Sequence, residues 1–440
     1  MHFLAIAANH GTQVSKFEDD TYRTVTKHLM PVLFACYILS YIDRVNVGFA
    51  KLQMQQDLHM SDTIYGTAAG IFCIGYFFFE VPANLLLQKV GARFWLSSIT
   101  MLWGLVSAST LFVRTPGTFY LVRFLLGVVE SGFFPGVILY LTFWYTRRRR
   151  ARMIAVFMTA IPLSGVVSGA VSGWILSRMA NFGGLRGWQW LYLCEGLPSL
   201  LAGLVALRLL KDGPGQAHWL REEQKELIES DLIEEEEVKR REGRNSHRFR
   251  DAFRSRAVWT LCLVFFGFAM ASYGISFWMP QMISDTVTKD PLAIGLLSMI
   301  PWGFGAISMV VVGRHSDATG ERRWHIAVAA MVGGIAFGIS AIPGIPGALS
   351  LAALTLATGG VLAAIATFWS LPMEFLSSTA AAAGIAVINS VGNLSGYLSP
   401  FVAGRIRDTT HSMAPALLVF SGSCILAALI VPTLKFRGKQ

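Results

Sequence analysis

The chain has 440 residues, 53% of them hydrophobic and only 15% charged, with a formal net charge of +10. Soluble domains carry about 25% charged residues, and a single soluble core stops growing near about 250–300 residues, so this composition excludes an ordinary soluble protein and assigns the apolar surplus to lipid. The apolar runs last for the ~20 residues a helix needs to cross a bilayer and do not alternate, which excludes a membrane β-barrel as well.

In chain order, residues 1–28 predict a cytoplasmic N-terminal segment without a cleavable signal: Met1–Ala8 lacks a basic flank and leads into Glu18, Asp19 and Asp20. Six spans are expected at about 29–50, 64–87, 95–113, 117–141, 151–175 and 188–210, followed by a charged linker over 211–257. Six more are expected at about 258–279, 293–313, 324–342, 346–370, 380–403 and 413–434, then a tail over 435–440. An internal repeat supports the division. The loop Asn84 to Arg93 and the loop Gly313 to Arg322 match, with Gly91 and Gly320 229 positions apart. The same offset carries the first five spans onto spans of the second half. The expected fold is an all-α membrane protein of twelve transmembrane helices in two pseudo-symmetric six-helix bundles, 29–210 and 258–434.

Placing the termini, the linker and the loops after even-numbered spans on one side gives that side 27 of the 37 Lys and Arg residues; the opposite loops hold 7 and the spans hold 3. Arg147–Arg150 with Arg152 is the strongest block. The positive-inside rule makes that side cytoplasmic and accounts for the basic excess without nucleic acid. The linker, with Glu222, Glu223, Glu234–Glu237 and then Arg240, Arg241 and Arg244, is expected to be a solvated helix tethered at the membrane surface, with a regulatory partner site as the alternative. The five cysteines fall inside apolar runs without paired spacing and read as reduced core thiols. No metal or cofactor is expected.

Charges inside a span are costly and are functional candidates by default. The first span carries Tyr41, Asp43, Arg44 and Asn46; the second, Tyr76 and Glu80; the fourth, Arg123 and Glu130; the sixth, Glu195. Spans seven to twelve hold no comparable charge. Arg123 and Glu130 lie nearly two turns apart on one face, about 10 Å along the axis, with Gly127 between them. The expectation is that Glu130 restrains Arg123; a buried ion-pair network that only ties helices together is the plainer alternative. Asp43 and Arg44 are adjacent and point about 100° apart, so only one can face the cavity squarely. Glu80 is expected to serve as a gate, with Arg93 and Asp317 in the repeated loops, and Glu195 to anchor its helix through a basic loop partner. In the second half, Asn389 and Asn393 share a face and could present amides to a ligand, with Thr367, Trp369 and Ser370 completing a polar wall. Gly165, Gly169 and Gly173 form a stripe for close helix contact.

At Tyr41-Ile-Asp43-Arg44-Val-Asn46, Glu80-Val-Pro82-Ala-Asn84, Gly91-Ala-Arg93, Arg123 to Gly136 and Glu195-Gly196 the chain resembles the anion:cation symporters of the major facilitator superfamily, and most of all bacterial permeases for tartrate, sugar acids and phthalate-like acids. The resemblance implies proton-coupled uptake of an organic anion. It implies that Asp43 and Glu130 titrate protons, that Arg44 and Arg123 bind the anion, and that Tyr76, with Tyr41 nearby, contributes to substrate binding. The chain departs from the superfamily pattern at Gln88, Lys89 and Ala318, and Ile161 stands where galactonate carriers have a glutamine.

The expected function is therefore proton-coupled import of a small carboxylate by a monomer in the bacterial inner membrane, both termini cytoplasmic. Its partners are the organic anion, protons and the bilayer; efflux or a sodium-driven cycle is the alternative. A membrane enzyme is not expected, since the sequence has neither an H-E-x-x-H nor a G-x-S-x-G motif.

Overall fold

A computed structural model describes residues 2–241, 255–372 and 378–434, with side chains described over 16–238, 255–372 and 384–434. The expected tail 435–440 and the basic end of the linker at Arg240, Arg241 and Arg244 lie outside the described residues or side chains. No strand occurs among the described residues. In order, the spans are His2–Asp57, Asp62–Val90, Ala92–Ser109, a fourth made of Pro116–Glu130 and Phe133–Thr142, and a fifth made of Arg147–Met158 and Ala160–Arg178. Then come Gly187–Leu209, Arg256–Thr286, Pro291–Thr319, Arg323–Ser340, Gly347–Phe368, Ser378–Thr410 and Ala414–Ile430. Among the described residues, eleven spans are long and apolar enough to cross a bilayer. The other, Ser378–Thr410, has the length with 33 residues but is more polar, because it carries Asn389, Asn393 and several serines.

Two spans that read as continuous are broken. The fourth breaks at Ser131–Gly132, directly after Glu130. A β-carbon on Gly132 would meet the Trp95 ring at 2.9 Å, so the break holds a close approach between spans 3 and 4 that only glycine permits. The fifth breaks at Thr159, three residues before Pro162, whose missing N–H and ring cannot continue the ladder of the preceding turn.

The packing repeats. Span 3 lies on span 6 as span 9 lies on span 12; span 2 on span 4 as span 8 on span 10; span 1 on spans 5 and 6 as span 7 on spans 11 and 12. Between the halves, span 2 meets span 11 and span 5 meets span 8, and the repeat exchanges those two contacts; span 1 meets span 7 across the axis. The pseudo-symmetry expected from two loop sequences is thus carried through the helix contacts.

The linker is not a free surface tether. Its helix, Glu222–Arg241, is fastened to the N-terminal half: Tyr22 Oη donates to Asp231 Oδ2 at 2.7 Å, the Arg147 backbone N–H donates to Glu235 at 2.5 Å, and His28 and Trp144 stack on Trp219. Arg149 bridges Glu18 and Asp19 at 2.7 and 2.8 Å. Glu235 of the acidic run thus meets the basic block of the loop between spans 4 and 5, and Leu220 and Ile228 of the linker are buried in the core of the N-terminal half.

Candidate functional site

Spans 1, 2 and 4 bring the intramembrane charges together. Arg44 Nε donates to Glu130 Oε2 at 2.8 Å, and Ser40 Oγ donates to the same oxygen at 3.0 Å. Glu130 is fully buried, while the Arg44 side chain keeps 19% of its surface exposed. The Arg44 guanidinium sits 5.1 Å from the Tyr76 ring centre, 5.2 Å from Phe72 and 5.7 Å from Tyr41, a cage of ring faces that favours a cation.

The expected Glu130–Arg123 pairing is corrected. Their seven-residue separation is spent along the axis, and the face between them is filled by span 2: a β-carbon on Gly127 would lie 2.0 Å from the Phe72 carbonyl oxygen. Because Arg44 and Asp43 diverge around span 1, Arg44 reaches Glu130 while the Asp43 end of the turn meets Arg123. Arg123 Nη1 donates to the Asp43 backbone carbonyl at 3.4 Å. The Asp43 carboxylate accepts from Ser107 Oγ at 2.7 Å and from Asn46 Nδ2 at 3.4 Å.

Arg123 is the most telling residue of the group. It is 1% exposed, yet its Nε and Nη2 have no hydrogen-bond partner. Those two donors form one edge of the guanidinium, the edge that takes a carboxylate in two parallel hydrogen bonds. Asp43 Oδ2 and Glu130 Oε1 are also buried and unpartnered. Buried polar groups are ordinarily satisfied, so this concentration of open donors and acceptors needs an explanation that packing does not supply.

The C-terminal half contributes neutral groups. Tyr273 Oη donates to Asn393 Oδ1 at 3.4 Å, and Gly396, one turn on, lets Tyr273 and Cys73 of span 2 approach. Asn389 is partly buried one turn earlier. Thr367 spends its hydroxyl on the Ala363 carbonyl, and Trp369 packs edge-on against Phe265 at 4.7 Å, so these two belong to a packing cluster rather than to the polar face with Asn393. Of the expected gate residues, Arg93 ties the turn before span 3 to span 6 through the Leu207 carbonyl and Asp212, inside one half. Asp317 pairs with Arg322, which supplies the cation that position 318 lacks. Glu80 lies half-buried one turn beyond Tyr76. Glu195 has no basic partner: it is buried and accepts from Ser172 Oγ at 2.6 Å, which corrects the expected loop anchor.

A second ionic group, not singled out in the sequence, joins the halves at the end away from the linker. Lys51, 1% exposed, donates to Gln281 Oε1 at 2.7 Å and pairs with Asp62 at 2.8 Å. Arg407 bridges Asp62 at 3.6 Å and Asp285 at 3.1 Å, and Asp408 accepts the Asp62 and Thr63 backbone N–H groups at the start of span 2. Nearby, a β-carbon on Gly169 would lie 2.7 Å from the Gly295 carbonyl oxygen, a span 5–span 8 approach that excludes larger residues. These charges sit at span ends, where a sequence shows only loop charges. The short Lys51–Asp62 connection was the one available signal.

The Major Facilitator Superfamily model matches residues 33–400. The chain is 42% identical over 424 residues to the putative metabolite transport protein NicT of Pseudomonas putida, covering 96% of this chain and 95% of that one. It is 42% identical over 417 residues to a putative tartrate transporter of Agrobacterium vitis, covering 94% and 95%. Its fold is similar to that of the partially occluded inward open xylose transporter XylE from E. coli, with a TM-score of 0.72 at 16% identity over 92% of this chain and 98% of that one. With a match along most of its length, relatives of the same size and this packing of helices, the chain belongs to the Major Facilitator Superfamily and is a multi-pass membrane transporter, not an enzyme.

Proposed function

We propose that the protein imports a small organic carboxylate together with protons by alternating access, with the linker side cytoplasmic. The observation that carries this is the Arg123 guanidinium, buried with one donor edge open, beside the Arg44–Glu130 pair. A carboxylate fits that edge in both charge and geometry. When Glu130 takes a proton it releases Arg44, which becomes a second anchor for the anion. When Glu130 loses the proton, it reclaims Arg44 and weakens the anion's hold. Tyr76, Tyr41 and Asn393 border the same space. Relatives named as tartrate transporters support an organic acid as the substrate class. The joined ends away from the linker correspond to a state open on the linker side.

Arg123→Lys keeps the charge and loses the planar fork. In the purified transporter, binding of the best ligand from a carboxylate panel should weaken by about 10–100-fold, or ~1.4–2.8 kcal/mol, with folding intact. Unchanged binding would remove Arg123 from the substrate site. For the orientation, a reporter fused after Lys239 should be cytoplasmic and one inserted near Lys289 periplasmic, following the 27-to-7 distribution of basic residues. Finding both on one side would refute it.

A further inference from the structure

The mechanism above leaves Glu195 unused, although it is 3% exposed in the middle of span 6. Ser172 Oγ of span 5 donates to its Oε1 at 2.6 Å, and the Ser172 and Ser168 hydroxyls lie 3.2 Å apart. The Asn46 amide, one turn after Asp43, is buried with them. That amide donates to Asp43 Oδ1 at 3.4 Å. One turn before Glu195, Tyr192 sits among Asp43, Arg123 and Glu195. Asn46 Oδ1, Tyr192 Oη and Glu195 Oε2 are buried without partners, like Asp43 Oδ2 and the open edge of Arg123. So the unpartnered groups do not stop at the substrate arginine. They run from span 4 through span 1 to span 6.

The run ends at a contact between the two halves. Ser172 lies between Gly169 and Gly173, and both glycines press on Gly295 of span 8 so closely that an added β-carbon on either would meet span 8 backbone within 2.9 Å. This contact joins the halves in the observed state and must open when they rock. In a close-packed interior, a changed hydrogen bond at Ser172 cannot be absorbed by slack and reaches the glycine face one residue away.

We propose that Glu195 is a positioning residue of the transport cycle, linking the buried group around Asp43 to the span 5–span 8 contact through Ser172. The inference rests on the reading that Asp43 and Glu130 exchange the coupled proton. The charged and titratable groups around Glu195 are Asp43 from span 1, Arg123 from span 4 and Tyr192 and Cys194 from its own span, with Glu130 beyond Asp43. Spans 3 and 5 present the Ser107, Ser168 and Ser172 hydroxyls to this group.

The test needs no ligand. Hydrogen–deuterium exchange of the full chain in lipid nanodiscs is followed from pH 5 to pH 8, corrected for the intrinsic pH dependence of exchange. The readout is the protection of span 5 peptides around 165–176 and span 8 peptides around 291–299. Wild type should show a pH midpoint in that protection. Glu195→Gln should move the midpoint by about one pH unit, the scale of coupling between interacting acids, because a titratable neighbour of Asp43 is removed. Ser172→Ala, which leaves the carboxyl in place, should uncouple span 5 and flatten the profile; it carries the test if Glu195→Gln fails to assemble. A uniform loss of protection at every pH with an unmoved midpoint would make Glu195 a packing residue and overturn the proposal. So would a Glu195→Gln profile that superimposes on wild type while Asp43→Asn shifts it. If Glu195→Gln and Asp43→Asn both move the midpoint but Glu130→Gln still accumulates substrate, the link stands and the proposed role of Glu130 falls. A wild type without any pH dependence would overturn both.

Discussion

Spans 2 and 8 start 229 residues apart, at Asp62 and Pro291, and spans 4 and 10 start 231 apart, at Pro116 and Gly347. Carried across those offsets, Arg44 of the N-terminal half corresponds to Tyr273, Arg123 to Leu354 and Glu130 to Val361. The helices pack alike in the two halves, yet one half keeps acids and arginines where the other keeps a phenol and aliphatic side chains. The fold therefore does not need the charges, and their burial, costly in a membrane, is retained in one half only. On the proposed reading, a carrier built this way grips its anion from one side. The other side supplies a neutral wall, with Tyr273 and Asn393, that rocks past the grip without having to break ion pairs of its own.

Glu130→Gln should break this asymmetry most completely. The amide mimics the protonated acid and leaves Arg44 free, so accumulation driven by a pH gradient in vesicles should vanish. Counterflow exchange, which needs no net proton movement, should stay within about tenfold of wild type, ~1.4 kcal/mol. Accumulation at the wild-type level would take the coupling role away from Glu130, and a carrier indifferent to pH but responsive to sodium would replace the proton altogether.

The next largest effect belongs to the far end, where the halves do share charges. Lys51→Met removes a buried cation and leaves Asp62 with Arg407 and the Gln55 amide. The closed end should lose about 1–3 kcal/mol relative to the open one, a shift of roughly 5- to 150-fold in the conformational equilibrium. Distance measurements between spin labels on the loops after spans 1 and 7 read this directly, and an unchanged distribution would show that glycine packing alone holds that end.

The smallest effect should come from the neutral wall. Tyr273→Phe deletes a hydroxyl that partners the neutral Asn393, and should weaken substrate binding by about fivefold, near 1 kcal/mol. A loss as large as that of Arg123→Lys would show that both halves hold the anion and would end the one-sided picture.

Hydropathy and the repeated loop were enough to read the spans, because crossing a bilayer imposes a length and an apolarity that a sequence displays directly. Hydropathy could also point to Asp43, Arg44, Arg123 and Glu130, since charge inside an apolar run is itself the signal. It could not assign their partners. Glu130 faces Arg44 instead of Arg123 because Gly127 admits span 2 against span 4, a fact of three-dimensional contact that helical periodicity along one span does not contain. Lys51, Asp62, Asp285 and Arg407 escaped notice for a different reason. Each lies near a span end, where charge is unremarkable until two halves close on it. Thr367 and Trp369 were read as a polar wall from residue type alone, and the hydroxyl proved to be spent on its own helix.

The clasp between the linker helix and the loop after span 4 also bears on how the protein acquires its orientation. In the folded protein Arg149 and Arg150 are matched by Glu18, Asp19 and Glu235, which offsets part of that basic block's charge at the surface. Orientation, however, is decided while the chain is still being made. Glu235 emerges 88 residues after Arg147, when the fourth and fifth spans have already been offered to the membrane. On the proposed orientation, the block acts as a topogenic signal during synthesis, before Glu235 exists, and part of it joins an internal clasp once the linker arrives. One set of arginines serves assembly first and architecture afterwards.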